Sequence, residues 1–411
     1  MTGSMRLGFH APETEEELAA LVFEAAETRT PLEIMGKGTK RELGHPVGAG
    51  AVVSSETMSG VSLYEPTELV MVAKAGTPLA EIEAKLAENE QELPFEPVDL
   101  APILGYEPGD GTIGGVIATN ISGSRRILKG AARDHVLGIR AVNGRGEVIK
   151  AGGRVMKNVT GYDVGRTLAG SWGTLAMMTE ISLKVLPAQR ETRTILCFGL
   201  TDQTAVEALC IAMGTPYEVS GALHIHADLA ARLSDEEIAG AENPVTAIRV
   251  ENFPSSARYR ANSLRQALLA YSPALELDGE RSKAFWNDIR TLKMFQDKPN
   301  PLWRVSTAPT QAAKLVGNLS RKIDARVVYD WSGGLIWIET PPLTDAGAVD
   351  IRRQLAELGG HATLIRADDA TRAGIDVFQP LEPQHAILSA KLKHAFDPLG
   401  IFNPGRMYRD M

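Results

Sequence analysis

The chain has 411 residues, is 44% hydrophobic and carries a formal net charge of −8. That length implies two or three domains. An acidic balance without a basic block excludes nucleic acid and an anionic membrane surface as partners. The two cysteines, Cys197 and Cys210, sit in apolar surroundings and read as buried thiols, too few for a disulfide framework or a zinc site. No apolar run approaches the ~20 residues of a membrane span. Glu13, Glu15, Glu16 and Glu17 stand where a secretory signal would need an apolar stretch, which gives a cytoplasmic expectation.

Thr14 caps a first helix, with Glu17 three residues on and Leu18, Leu21, Val22 and Ala25 at helical spacing. Residues 31–35 form a strand that runs into the loop Gly36-Lys-Gly-Thr-Lys40, and strands follow at 51–54 and 68–73. Thr77-Pro78 starts a helix that reaches about Asn89. Residues 136–142 and 147–151 make a hairpin about Asn143-Gly-Arg-Gly146. A long strand with alternating polarity covers 174–186. Beyond Pro187 the chain alternates strands (192–198, 222–226, 245–250, 326–330, 335–339, 363–366) with helices (204–213, 256–271, 345–358). That alternation predicts an antiparallel sheet with helices on one face. A last helix over 384–396 ends in the turn-rich stretch from Phe396 to Met407. A tight turn is unusual at a terminus, which normally frays; it reads as docked against a ligand site, with a plain helix stop as the other reading. The expected domains are 1–56 and 57–190 as two subdomains, 191–385 as a cap, and 386–411 as a segment returning to the first part.

The segment Gly111 to Gly130 holds the chemistry. Gly111, Gly114, Gly115 and Gly123 lie among small and hydroxylated residues, so the backbone can approach a bound group and its N–H groups can cradle an anion. A glycine-rich turn between two strands is the other reading of the segment alone. Gly36 and Gly38, flanked by Lys37, Thr39 and Lys40, repeat the pattern and suit a pyrophosphate. Neither loop is a Walker A motif or a GxGxxG fingerprint. Two such loops, with Gly109 to Ser124 as the second, imply a diphosphate-bridged cofactor between two subdomains.

At this point a family likeness is visible. Thr112-Ile-Gly-Gly115, Ala118-Thr-Asn120, Ser122-Gly123, Gly130-Ala-Ala-Arg-Asp134, Lys157-Asn158, Gly161-Tyr-Asp163, Gly170-Ser171, Gly173-Thr-Leu175 and Thr179-Glu180 resemble the signature of the vanillyl-alcohol oxidase, or PCMH-type, FAD-binding fold. Their order resembles the branch of D-lactate dehydrogenases and glycolate oxidases, and most of all the FAD-binding E-subunit family of bacterial glycolate oxidase. Asp397-Pro398 through Asn403-Pro-Gly-Arg406 is similar to that branch's C-terminal motif. The resemblance implies an α+β fold of two FAD-binding subdomains plus an α+β cap with an antiparallel sheet. It implies FAD whose pyrophosphate lies on Gly36, Lys37, Gly38, Thr39, Lys40, Gly111, Thr112, Gly114 and Gly115. Asn120, Ser122, Gly123 and Ser124 would lie nearer the ribityl chain and flavin, and Gly109 and Thr119 are also expected to touch the cofactor. Gly173, Thr174 and Ile181 would hold the adenosine end, and Asn403 and Arg406 would reach the isoalloxazine edge. The first loop has no His, so the FAD is expected to be non-covalent.

The GDGNxH metal-site context of the catalytic enzymes in this branch is absent. His224-Ile-His226 is the one close histidine pair, sharing a strand face. It reads as a polar strand face, with a metal or a proton-abstracting His as the other reading, weak without a third ligand; no metal or catalytic residue is assigned. His135 beside Asp134 reads as structural, and His361, His385 and His394 as isolated side chains. Trp286, Trp303, Trp331 and Trp337 read as core; Arg304 and Arg326 have the chemistry to hold a carboxylate. The expected activity is that of a FAD subunit in a glycolate oxidase complex, oxidising a small 2-hydroxy acid or relaying its electrons. A second FAD subunit and an iron–sulfur subunit are the expected partners, since two cysteines build no cluster, and membrane association would come only through them. A self-sufficient oxidoreductase of another alcohol and a non-catalytic flavin-bearing subunit are the alternatives.

Overall fold

The computed structural model describes residues 8–153 and 162–411. The Lys157-Asn158 and Gly161 parts of the family signature lie outside the described residues. Two compact units divide the chain: Met1–Ser122, Ala131–Ala188 and Pro380–Met411 form the first, and Gly123–Gly130 with Gln189–Gln379 the second.

In the first unit, strand β1 (Phe9–His10) leads into helix α1 (Glu15–Thr28). The Thr14 side chain accepts the Glu17 N–H, three glutamates occupy the first turn where the helix dipole favours them, and Arg29 closes the helix in the left-handed conformation. Strands β2 (Leu32–Met35) and β3 (Ala51–Ser54) complete a parallel sheet of order β1-β3-β2. A second, antiparallel sheet has the order β4-β5-β9-β7-β8, from β4 (Val61–Glu65), β5 (Val70–Lys74), β7 (Val136–Asn143), β8 (Val148–Gly152) and β9 (Ala176–Lys184). A short ladder joins β6 (Gln91–Glu92) to β10 (Leu186–Pro187).

Strand β9 was expected to alternate in polarity, yet it is buried along nearly its whole length. Met177 packs with Leu18, Val22 and Val53 under α1, while Met178 and Ile181 pack with helices α2 (Leu79–Ala87) and α3 (Ile113–Thr119). Both faces of the strand are covered, so both take apolar residues.

The C-terminal segment docks as an extra strand beside β2. Leu32 bridges Phe402 in parallel, its N–H donating to the Ile401 carbonyl at 2.7 Å and its carbonyl accepting the Asn403 N–H at 2.9 Å. Lys393, on the helix Pro383–Phe396, donates to Asp397 Oδ2 (2.8 Å) and to the Phe402 carbonyl, both buried, and to the half-buried Thr174 carbonyl.

The second unit holds one eight-stranded antiparallel sheet, β14-β11-β13-β12-β16-β17-β15-β18. Its strands are β11 (Glu191–Phe198), β12 (Val219–Ile225), β13 (Val245–Asn252), β14 (Ala274–Asp278), β15 (Leu302–Ser306), β16 (Arg326–Asp330), β17 (Leu335–Glu339) and β18 (His361–Arg366). With their helices they spell β-α-β-β-α-β twice, and the halves meet where β12 pairs β16. No sequence repeat announces this doubling. Helices Asp202–Met213 and Pro254–Leu268 cover one face through Ala205, Leu209, Ala261 and Leu264. The expectation that all helices share that face fails at Gly279–Arg290. Its Ser282 and Trp286 bond Thr194, which points away from its neighbours Ile195 and Cys197.

Replacing Asp397 by Ala leaves the buried Lys393 ammonium without its counter-charge. The expected cost is about 3–5 kcal/mol, read as a lowered urea midpoint of the first unit.

Candidate functional site

A pocket in the first unit is lined by the loop after β2, the N-terminal part of α3, Trp172, Gly173, the start of β9 and Arg406. Within the loop, Gly38 lies at φ +82°, a left-handed position that favours glycine. Gly36 sits so close to Thr112 that a Cβ would stand 2.3 Å from its Oγ1. Among the described residues, no acceptor takes the N–H of Lys37, Gly38, Thr39 or Lys40. Lys40 Nζ lies over Gly111 and Gly115, at 3.1 and 3.8 Å from the positions of their missing side chains. Burial pushes the Lys40 ammonium below its ordinary pKa, and Asp99 only partly opposes that. A run of open N–H groups beside a desolvated ammonium is an anion receptor, and this donor set fits a pyrophosphate.

The second glycine segment is built differently from the expected cradle. Residues 113–119 are helical, and their leading N–H groups already have acceptors. Ile113 donates to the Thr77 carbonyl, Gly114 to Ala75, and Gly115 to Thr112 Oγ1. Gly114 is small because α3 presses on β5: a Cβ there would stand 2.8 Å from the Ala75 carbonyl oxygen. Gly109 donates to Asp99 instead. Gly115 and Thr119 do face the pocket, and Thr112 lines it while capping α3.

The other expected residues separate into wall and support. Asn120 closes α3 in the left-handed conformation and accepts from Arg133. Ser122 Oγ is buried without a hydrogen-bond partner among the described residues. Gly123 and Ser124 belong to the second unit, where Gly123 accepts from Trp331 and Ser124 donates to Asp330 at 2.7 Å. Gly173 lines the pocket at φ +70°. Thr174 turns its hydroxyl to the Ser171 carbonyl, and Ile181 is fully buried in the core between β5 and β7, so neither reaches the pocket. Asn403 is a clasp: its Oδ1 accepts the Ile34 N–H (2.8 Å) and its Nδ2 donates to the Trp172 carbonyl (2.9 Å). Arg406 lines the pocket and is held by Glu33, which also binds Arg41. Lys37 pairs with Asp110 at the surface. Trp172, a wall residue at φ +56°, had no signal in the sequence beyond its neighbouring glycines.

In the second unit, Trp286, Trp303 and Trp337 are core, as expected, and Trp331 is not. Trp331 and Ser332 both adopt left-handed backbone (φ 52° and 60°), a strained pair that accompanies functional sites. The guanidinium groups of Arg126 (5.0 Å) and Arg304 (4.9 Å) both lie over the indole ring. Arg304 Nε is buried with no hydrogen-bond partner among the described residues. Burial, with Arg126 nearby, pushes its pKa down to about 10, so it stays charged at neutral pH. Arg326 is already committed to Glu339. Cys197 is core, with burial pushing its thiol up to about 11, whereas Cys210 is only half-buried. His135 stacks on Phe95 and Asp134 caps its own turn, a structural pair as expected.

These features meet known proteins at two levels. Residues 7–152 match the family described as FAD binding domain. Over 96% of this chain and 98% of its relative, the sequence is 34% identical to glycolate oxidase subunit GlcE of Escherichia coli K12, so the chain belongs to the GlcE family of FAD-binding oxidoreductases. Glycolate oxidase subunit GlcD of Bacillus subtilis is 28% identical over 45% of this chain and 38% of its own length. Among solved structures, 4-ethylphenol oxidase from Gulosibacter chungangensis matches with a TM-score of 0.71 at 16% identity, covering 99% of this chain and 90% of that one, which shows the fold.

Gly115→Val, with its added bulk facing the pocket and Lys40, should abolish flavin absorbance in the purified protein without unfolding it. Flavin retention should fall as pH rises through the depressed Lys40 pKa, because only the ammonium form binds an anion. Lys40→Arg should flatten that dependence, and Lys40→Gln should weaken retention at every pH; equilibrium dialysis against FAD measures both.

Proposed function

We propose that this chain is the FAD-binding subunit of a glycolate-oxidising complex. The single observation that carries this reading is the row of open N–H groups from Lys37 to Lys40 with the Lys40 ammonium beside them, in a chain whose E. coli relative is a glycolate oxidase subunit along nearly its full length. Gly38, Thr39 and Lys40 would hold the pyrophosphate, with Gly36, Gly115 and Thr119 leaving it room. Gly173, Trp172 and Arg406 would wall the rest of a non-covalent FAD. Residues 1–190 with 386–411 would form the FAD-binding half and 191–385 the cap.

Bound FAD supplies a two-electron acceptor. The pocket wall offers an ammonium, guanidinium groups and N–H donors, and no imidazole or carboxylate among its described lining residues. The pocket therefore suits a charged group; the missing GDGNxH context of the catalytic enzymes favours relay from a second FAD subunit over independent oxidation. Electrons would leave through an iron–sulfur subunit, because Cys197 and Cys210 cannot ligate a cluster. In the second unit, Arg304 has the charge and the unpaired Nε to receive the carboxylate of a small 2-hydroxy acid. Among the described residues no helix is long and apolar enough to cross a membrane; the proposed location is the cytoplasm, with membrane contact through partners.

Purified alone, the chain should be yellow and its flavin should stay oxidised in glycolate until the second FAD subunit is added. Rapid bleaching by glycolate alone would establish independent catalysis instead, and a colourless protein after gentle purification would remove the FAD assignment. If Arg304 receives the substrate, Arg304→Gln should raise KM for glycolate about 10–100-fold, the loss of a charged hydrogen bond, whereas a pure relay subunit would leave KM unchanged.

A further inference from the structure

We propose that Asp202, His224 and His226 form a binding site for a divalent cation of the zinc class, built from one carboxylate and two imidazole nitrogens. His224 lies on β12 and His226, still extended, follows its end two residues on, so both turn to one side, and Asp202 opens the helix Asp202–Met213 that packs against that side. The three ligand atoms lie within 4.8 Å of one another. Asp202 Oδ1 stands 2.8 Å from His226 Nε2 and 3.5 Å from His224 Nε2. These separations bracket the roughly 3.3 Å between neighbouring ligand atoms of a tetrahedral site with bonds near 2.0 Å.

A second observation points to a ligand. His224 is fully buried, and its Nε2, facing Asp202, has no hydrogen-bond partner among the described residues. A buried imidazole nitrogen is not left idle without cost. Its other nitrogen is fixed by Thr246 Oγ1 at 2.8 Å, the arrangement that orients a metal-bound histidine. Tyr329 donates to the second oxygen of Asp202 at 2.6 Å, orienting the carboxylate in the same way. His226 and Asp202 border a cleft that also includes Thr201, Gln203 and Lys314, which leaves a fourth position for water. Two imidazoles and one carboxylate suit zinc or a neighbouring first-row ion over calcium or magnesium, which prefer oxygen ligands.

A bound ion would tie the first helix of one β-α-β-β-α-β half to β12 and, through Tyr329, to β16 of the other half. Tyr329 and Asp330 are consecutive on β16, so they face opposite sides of the sheet. The cation site and the Ser124–Asp330 contact therefore lie on different faces of the second unit.

The test is zinc titration of the full-length flavoprotein, stripped with a chelator, against a chromophoric competitor. One equivalent should bind. His226→Gln and Asp202→Asn should each weaken binding about 100-fold or more, and Tyr329→Phe about 10–100-fold, the usual effect of losing an orienting partner. Flavin content and circular dichroism should stay at wild-type values in all three. Zinc should raise the melting temperature of the wild type and leave that of His226→Gln unmoved. Absence of stoichiometric binding to the wild type, or affinity unchanged in both His226→Gln and Asp202→Asn, overturns the site and leaves a hydrogen-bond network only.

Discussion

The chain leaves the first unit after Ala188 and returns at Pro380, and that return is secured by a buried charge. The Lys393 ammonium lies out of water against Asp397 and two carbonyls, while Asp397 also accepts the N–H groups of Ile401 and Phe402. A buried ion pair is a poor source of net stability, but breaking one side of it is costly. The pair therefore ties the terminal segment to the register it holds beside β2, because a shift would leave a buried charge without its partner. Asn403 completes the fastening, joining β2 to the Trp172 turn from a left-handed backbone position.

The glycine loop depends on that fastening. The loop after β2 leaves the N–H groups of Lys37 to Lys40 open, while Arg406 joins the Leu43 carbonyl at its far end to Glu33 on β2. Secondary structure uses up the N–H groups of the second glycine segment, so its contribution is space and helix packing instead of donors. The two glycine-rich stretches, alike in composition, divide the work: one supplies donors, the other lets α3 approach β5.

The second unit shows the same separation of roles within one strand. Successive residues of β16 serve opposite faces, Tyr329 toward the histidine pair and Asp330 toward Ser124, and the strained Trp331–Ser332 turn follows at once. The central pairing of β12 with β16 joins two topologically similar halves, which places those residues at the junction.

Much of this was legible from residue order alone. The capped first helix, the hairpin strands, the FAD-type glycine segments and the family likeness all depend on local propensity and spacing, which sequence carries directly. What sequence did not carry was the fate of individual polar groups. Gly114 and Gly38 look alike on paper; only tertiary packing decides that one N–H meets the Ala75 carbonyl and the other stays open. Ile181 and Asn403 likewise became core and clasp because their surroundings are assembled from distant segments. His224 and His226 suggested a polar strand face, and Asp202, a helix and a loop away in sequence, was brought to them by the fold. Local physics sets which elements form; long-range packing alone decides which donors, acceptors and charges remain for a ligand.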